Sequence, residues 1–212
     1  MRRLILVRHA STRALRRACF APDDALDARG RAEAEALRGA LPAAAEALAA
    51  PCLAAFQTAS LAGFAPVRIE PALGDADYAR WTGRALEEVQ REEPAAVEAW
   101  LTDPDAAPHG GESLRALLGR VAAWVGAQAG RDGTAVAIVP AAVVRAAVVA
   151  AMDAPATAFW RIDVAPAAVT ELHVAAGRVT VTRVNERVPV RAGAGAEPAA
   201  AERAAPGARS SR

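Results

Sequence analysis

Short apolar segments alternate with longer amphipathic segments along most of this chain, and this alternation strongly limits the folds open to it. The first apolar segment, Arg3 to Val7, is an unbroken run typical of a strand covered on both faces of a sheet. Amphipathic runs such as ESLRALLGRVAAWVGAQAG separate it from a later apolar run, TAVAIV. The pattern predicts an α/β fold, a three-layer α/β/α sandwich with a mostly parallel central sheet. A later hairpin, with alternation in VTVTRV, predicts one antiparallel strand.

The end of the chain has a different composition. The last residues, RAGAGAEPAAAERAAPGARSSR, consist almost entirely of Ala, Gly, Pro, Arg, Ser and Glu. Such a segment lacks the large apolar side chains from which a core is built. We therefore expect a folded domain over residues 1–188 and a disordered tail over residues 189–212.

Composition excludes several classes of partner. The net charge is +1 and the arginines are scattered, so no stripe of positive charge is available to bind a nucleic acid. No run of 18 apolar residues occurs without a charge or a proline, so we expect no membrane span. Two cysteines are too few for a disulfide framework and lack metal-ligand spacing. We expect a cytoplasmic protein without a metal, and the sequence leaves its oligomeric state open.

Two polar residues, Arg8 and His9, follow directly after the first predicted strand. In parallel α/β sheets, ligands bind beyond the carboxyl ends of the strands. The pair therefore fits a ligand site, although an exposed Arg-His pair that merely ends a strand fits the dipeptide equally well. Other segments have to decide between the two interpretations.

Those segments resemble the motifs of the histidine phosphatase (phosphoglycerate mutase-like) superfamily. LVRHAST resembles its RHG motif, and PCLAAFQTASLAG, LGDADYARWTGRALEEV, HGGESL and VAIVPAAVVRA resemble later motifs in the same order. The chain is most similar to the small bacterial α-ribazole phosphatase-like members, because it lacks the insertions of the mutases. The resemblance implies the fold predicted above. It also implies phosphoryl transfer without a cofactor, on a small phosphorylated molecule.

The resemblance implies catalytic roles for three residues of this chain. His9 matches the histidine that attacks phosphorus and becomes phosphohistidine. Arg8 matches the arginine that binds the phosphoryl oxygens. Asp75 occupies the position of the carboxylic acid that protonates the leaving group, with a side chain one methylene shorter than the usual one.

Two further positions depart from the family pattern. Ala54 stands where the family has a second arginine, and Pro140 stands where it has a second histidine. The first change removes a bidentate phosphate donor and the second removes every side-chain donor. Arg13, Arg16 and His109 are the candidates to supply the missing contacts, and we predict them as substrate-binding residues.

The sequence thus predicts a phosphomonoester-directed pocket around Arg8 and His9, in a protein whose phosphatase activity is weakened or absent. Three functions stay open at this point. The chain is a phosphatase with residual activity, a non-catalytic relative that binds a phosphorylated ligand or a partner, or a purely scaffolding relative.

Overall fold

The computed structural model describes residues 1–175 and 177–188. The predicted tail, residues 189–212, lies outside the described residues, as does Ala176 in the predicted turn of the hairpin. Within the two described ranges, six strands form one sheet that is flanked by helices. This arrangement confirms the predicted three-layer α/β/α sandwich.

The sheet is mostly parallel, and its strands lie in the spatial order β3-β2-β4-β1-β5-β6. Strand β1 pairs in parallel with β4, and β2 pairs in parallel with both β4 and β3. Strand β5 runs antiparallel to its neighbours β1 and β6, which confirms the prediction of one antiparallel strand. The strands are β1 (Arg2–Arg8), β2 (Glu46–Ala49), β3 (Arg68–Ile69), β4 (Gly133–Val139), β5 (Val169–Ala175) and β6 (Arg178–Glu186).

The core is built around the two central strands. Residues Leu4 to Val7 of β1 and Ala135 to Val139 of β4 are buried without alternation, because both faces of the sheet are covered. Helix α2 packs against α3, and α6 packs against α7. The helices are α1 (Arg13–Arg16), α2 (Ala28–Ala36), α3 (Leu53–Leu61), α4 (Leu86–Glu92), α5 (Pro94–Thr102), α6 (Leu114–Gly126) and α7 (Ala141–Ala151). None of these helices is long and apolar enough to span a bilayer, a finding that covers the described residues alone.

Element boundaries differ from the sequence pattern in two places. The apolar periodicity predicts that α2 extends towards Pro42, but the helix ends at Ala36 and the chain then turns at Gly39, whose φ is +72°. The apolar run EALAAPCLAAF divides into β2 and the start of α3, because Pro51 cannot donate the backbone hydrogen bond of a central strand. The run RALEEVQREEPAAVEAWL predicts two helical segments broken at Pro94, and the division into α4 and α5 confirms this.

Candidate functional site

A cavity of about 720 Å³ opens at the carboxyl ends of the parallel strands. Arg8 ends β1, and Pro140 directly follows β4; both line the cavity. The two strand ends are held together because the His9 N–H donates to the Val139 carbonyl at 2.9 Å. The cavity therefore lies where ligands bind in parallel α/β sheets.

Helices α2 and α3 hold the loop that follows β1 in place. The Ala10 N–H donates to the Thr58 hydroxyl at 3.0 Å, and the Ser11 N–H donates to Glu33 at 2.9 Å. A Cβ on Gly30 would lie 1.9 Å from the Ser11 carbonyl oxygen. Glycine is thus required at position 30 for α2 to approach this loop. These contacts fix the backbone next to His9 and hold its side chain at the cavity.

His9 lines the cavity with a neutral imidazole ring whose Nε2 is unprotonated. Its Nδ1 lies 2.9 Å from the Ala10 carbonyl oxygen. A carbonyl oxygen can only accept, so Nδ1 carries the proton and Nε2 keeps its lone pair. Burial lowers the pKa of His9 below its ordinary value, which keeps the ring neutral at pH 7. The ring is therefore in the form that can attack an electrophile.

Arg8 places a positive charge beside His9. One terminal nitrogen of its guanidinium donates to the Val164 carbonyl oxygen, which fixes the side chain against the segment before β5. Its Nε is buried and has no hydrogen-bond partner. Burial and the positive charge of Arg145 lower the pKa of Arg8 from its usual value, although a guanidinium remains protonated. An anion in the cavity would relieve both effects.

Asp75 reaches the same cavity on a loop that Arg120 holds in place. Arg120, on α6, donates to the carbonyls of Ala72 and Gly74 at 2.8 and 3.1 Å, and it pairs with Glu112 at 2.7 Å. One Asp75 carboxylate oxygen accepts from the Ala76 N–H at 2.9 Å. Burial raises the pKa of Asp75 to about 6. This carboxyl group thus exchanges its proton close to neutral pH.

Arg145 also lies in the cavity wall, although it is not among the residues predicted for the site. It lies on α7, one turn after Ala141, which also lines the cavity. Its guanidinium carbon lies 5.6 Å from the centre of the Phe159 ring, and its Nε is buried without a hydrogen-bond partner. Over the described ranges, 1–175 and 177–188, neither Arg145 nor Arg8 forms a salt bridge. Two arginines thus face one cavity without a paired carboxylate.

The residues of this cavity lie within a segment of the chain that matches a known protein family. A model of the histidine phosphatase superfamily (branch 1) matches residues 4–187. The chain belongs to the histidine phosphatase superfamily. No curated protein sequence matches the chain significantly.

Solved structures of the same superfamily fold are similar over most of the chain. A protein of Thermus thermophilus is 33% identical, with a TM-score of 0.68 over 84% of this chain and 96% of that chain. The α-ribazole phosphatase of Shigella flexneri is 23% identical, with a TM-score of 0.78 over 88% of this chain and 97% of that chain. The phosphoserine phosphatase of Entamoeba histolytica, solved as a mutant with phosphoserine, is 18% identical, with a TM-score of 0.78 over 87% and 97% of the two chains. At these last two identities the likeness shows the fold alone.

The two positions that depart from the histidine phosphatase pattern both line the cavity. Ala54 lies in the first turn of α3, and Pro140 caps α7 with φ −65° and ψ 160°. An arginine at 54 and a histidine at 140 would therefore start from the cavity wall. With alanine and proline in their places, neither position offers a side-chain donor to a ligand.

The three residues predicted to bind substrate in this histidine phosphatase fold do not reach the cavity wall. Arg13 and Arg16 lie on α1, outside the wall, and Arg16 pairs with Asp27 at 3.3 Å. His109 is 1% exposed, and its ring lies 5.1 Å from that of Trp81. Its loop folds inwards because the Glu112 N–H donates to the Asp77 carbonyl at 2.8 Å. The structure thus brings together Arg8, His9 and Asp75, and separates the other three from them.

No group of three or more His, Cys, Asp or Glu side chains within the described part of the chain is arranged to hold a metal ion. Cys52 lines the cavity, and burial raises the pKa of its thiol to about 11, so the thiol stays protonated at neutral pH. The cavity wall, in the described part of the chain, holds the guanidinium groups of Arg8 and Arg145 and the neutral imidazole of His9. It also holds the carboxyl groups of Asp23, Asp24 and Asp75.

The raised pKa of Asp75 predicts that the free energy of unfolding falls as the pH rises. In the unfolded chain this carboxyl group ionises near pH 4, whereas in the folded chain it ionises near pH 6. The unfolded state therefore loses its proton first as pH rises, and stability falls between these two values. Asp75→Asn should raise the free energy of unfolding by about 1–3 kcal/mol at pH 8. At pH 4 the same replacement should change the free energy of unfolding little, and urea unfolding at both pH values checks this. An equal gain at both would show that ionisation of Asp75 is not the cause.

Proposed function

We propose that the cavity binds the phosphoryl group of a small phosphomonoester between Arg8 and Arg145, and that His9 accepts this group slowly. The observation that carries the proposal is the convergence of these three side chains and Asp75 on one cavity at the strand ends. The proposal makes the chain a phosphatase with weak turnover. The Entamoeba histolytica relative, solved with phosphoserine, supports a phosphorylated small molecule as the ligand.

Charge supports the assignment of a phosphoryl group to this position. Arg8 and Arg145 face the cavity without a salt bridge among the described residues, and each has a buried Nε that lacks a partner. Burying a guanidinium without an anion is costly, and phosphate oxygens accept from guanidinium groups in bidentate geometry. A phosphoryl group would satisfy both donors together. Arg145 would then provide positive charge that the family draws from the position of Ala54.

The chemical steps follow from the protonation states of His9 and Asp75. The Nε2 lone pair of His9 forms a bond to phosphorus, and the bond from phosphorus to the leaving oxygen breaks. That oxygen keeps the electron pair and takes the proton of Asp75. A water molecule then gives a proton to the Asp75 carboxylate and attacks phosphorus. The bond to Nε2 breaks, which releases inorganic phosphate and regenerates neutral His9.

The residues at positions 54 and 140 make this sequence slow. In the transition state, negative charge spreads over the oxygens of the transferring group and needs donors around it. Ala54 and Pro140 line the cavity but offer no side-chain donor. Each missing charged hydrogen bond costs about 1.5–3 kcal/mol of stabilisation. Binding of the phosphoryl group is less affected, because Arg8 and Arg145 remain.

Phosphate binding tests the proposal without relying on turnover. Inorganic phosphate should stabilise the protein by about 2.7 kcal/mol at a hundred times its Kd, which corresponds to roughly 5–10 °C in a thermal melt. Arg8→Ala and Arg145→Ala should each remove most of this shift, because each takes away a guanidinium that faces the cavity. Isothermal titration of phosphate into the same proteins measures the loss of affinity directly.

Arg31→Ala is the matched control, since Arg31 is exposed on α2 and lies outside the cavity. It should leave the phosphate shift unchanged. Arg8→Lys keeps a positive charge and covers the case in which Arg8→Ala fails to fold. The proposed site would be contradicted if phosphate did not stabilise the protein. It would also be contradicted if Arg31→Ala reduced the phosphate-dependent stabilisation as strongly as Arg145→Ala.

A further inference from the structure

The cavity continues from Arg8 and His9 into a wall of aromatic rings. The chain is poor in aromatic residues, with four Trp, one Tyr and four Phe among its 212 residues. Five of these nine line this one cavity: Phe20, Tyr78, Trp100, Phe159 and Trp160. They come from four separate segments of the chain, since Phe159 and Trp160 are adjacent, so the fold gathers them at the site.

The five rings, here called the aromatic wall, form a continuous chain of ring contacts in which Phe20 and Phe159 are mostly buried. Trp100 lies 4.7 Å from Trp160 and 5.5 Å from Phe20 between ring centres. Phe159 lies 4.9 Å from Trp160, and Tyr78 lies 5.0 Å from Phe20. Tilted and edge-to-face contacts of this kind hold aromatic side chains in fixed orientations. The aromatic wall is therefore a rigid, preformed surface beside the phosphoryl end of the cavity.

Apolar side chains next to the aromatic wall are exposed to the cavity. Leu101 follows Trp100 on α5 and is 42% exposed, and Leu86 begins α4 and is 37% exposed. Both line the cavity. The free energy of the complex falls when a ligand covers a large apolar side chain that faces an open cavity and removes it from water. This part of the cavity is thus suited to cover an apolar group.

The acidic groups at the same cavity argue against a second negative charge on the ligand, and the aromatic wall argues against hydroxyl groups packed on it. Arg8 and Arg145 are the two arginines of its wall among the described residues. Asp23 and Asp24 also line it, and they accept the backbone N–H groups of Leu53 and Ala14. A second carboxylate on the ligand would meet these acidic groups. Sugar hydroxyls placed against the aromatic wall would lose hydrogen bonds to water without replacement.

We propose that the organic part of the ligand is an aromatic or apolar ring system that packs on the aromatic wall, with its phosphoryl group at Arg8 and Arg145. This inference rests on the proposed function and extends it, because it names the class of phosphomonoester. Aryl and related ring phosphates belong to this class. Sugar phosphates and phosphorylated amino or hydroxy acids do not.

Isothermal titration with four ligands tests the proposal: 1-naphthyl phosphate, ribose 5-phosphate, phosphoserine and inorganic phosphate. The naphthyl ester should bind at least about tenfold more tightly than each of the other three, since burial of one aromatic ring contributes at least this much. Leu101→Asp and Trp100→Ala should each reduce the ratio of naphthyl phosphate affinity to inorganic phosphate affinity about tenfold. Leu101 is exposed, so its replacement keeps the test open if Trp100→Ala fails to fold.

Phe56→Ala is the matched control, because Phe56 is 48% exposed on α3 and lies outside the cavity. It should change none of the affinities. If inorganic phosphate binds but the naphthyl ester binds no more tightly than ribose 5-phosphate, the inference about the aromatic wall is wrong and the proposed function stands. If no phosphorylated ligand binds, the proposed function fails, and this inference fails with it.

Discussion

Restoring both missing side chains, by Ala54→Arg together with Pro140→His, is expected to raise kcat/KM for an aryl phosphate by about two to four powers of ten. Each new group adds a charged hydrogen bond to the transferring phosphoryl group, and each such bond contributes about 1.5–3 kcal/mol. Both positions already line the cavity, so neither side chain has to cross the core. The backbone at Pro140, with φ −65° and ψ 160°, is also open to histidine.

The matched control for this pair is Phe56→Arg together with Pro155→His. Phe56 lies on the exposed side of the same helix as Ala54, and Pro155 has φ −62° and ψ 150°, close to those of Pro140. Neither control residue lines the cavity. The control pair should leave kcat/KM unchanged. A restored protein that folds but gains no activity would show that positions 54 and 140 do not face the phosphoryl group.

The periodicity of the sequence predicted the fold well, because fold class depends on patterns that are local and repeated. The unbroken apolar run from Leu4 to Val7 is buried as a central strand, and the hairpin near the end supplies the antiparallel strand. Helix ends were less predictable. The periodicity of α2 continues past Ala36, whereas the turn at Gly39 ends the helix.

The candidate site was predictable where motif order fixes it and not where packing decides it. Arg8, His9 and Asp75 belong to motifs that the chain order brings to one sheet edge. Arg145 gave a weaker signal, a single arginine within the apolar helix AAVVRAAVVAA. Whether that arginine meets the cavity depends on the rotation of α7 over the sheet, and this rotation cannot be read from the sequence.

His109 is a residue that the sequence predicts at the cavity and the structure places outside it. A histidine beside two glycines in a loop is compatible with a place at the mouth of the cavity. The ring is instead enclosed by Tyr78 and Trp81, and its Nδ1 accepts from the Gly111 N–H at 3.0 Å. A Cβ on Gly111 would lie 2.0 Å from the Asp77 carbonyl oxygen, so the glycine allows the loop to fold inwards. This close approach between distant segments has no local signature.

Replacing His9 by alanine is the second change with a large expected effect. Because Nε2 of His9 is the only nucleophile that the protein supplies in the proposed mechanism, His9→Ala should reduce aryl phosphate hydrolysis to the rate without protein. In the restored protein, the same replacement should remove the entire gain of about two to four powers of ten. Phosphate release is measured for proteins purified in the same way, so that a contaminating phosphatase contributes equally to each.

Binding should survive this replacement, since Arg8 and Arg145 hold the phosphoryl group in the proposed site. Phosphate-dependent thermal stabilisation of His9→Ala therefore separates loss of the nucleophile from loss of the fold. Equal hydrolysis by the parent protein and His9→Ala, with phosphate binding intact in both, would identify the chain as a phosphoryl-binding relative without turnover.

Covalent attachment of a phosphoryl group to His9 during turnover is the central step of the proposed mechanism. The protein is mixed with 1-naphthyl phosphate, and the reaction is stopped with an alkaline denaturant. The masses of the protein's peptides are then measured by mass spectrometry. The proposed mechanism predicts one added phosphoryl group on His9 in the parent protein, more of it in the restored protein, and none in His9→Ala. Phosphate release without a phosphoryl group on His9, or with that group on another residue, would contradict it.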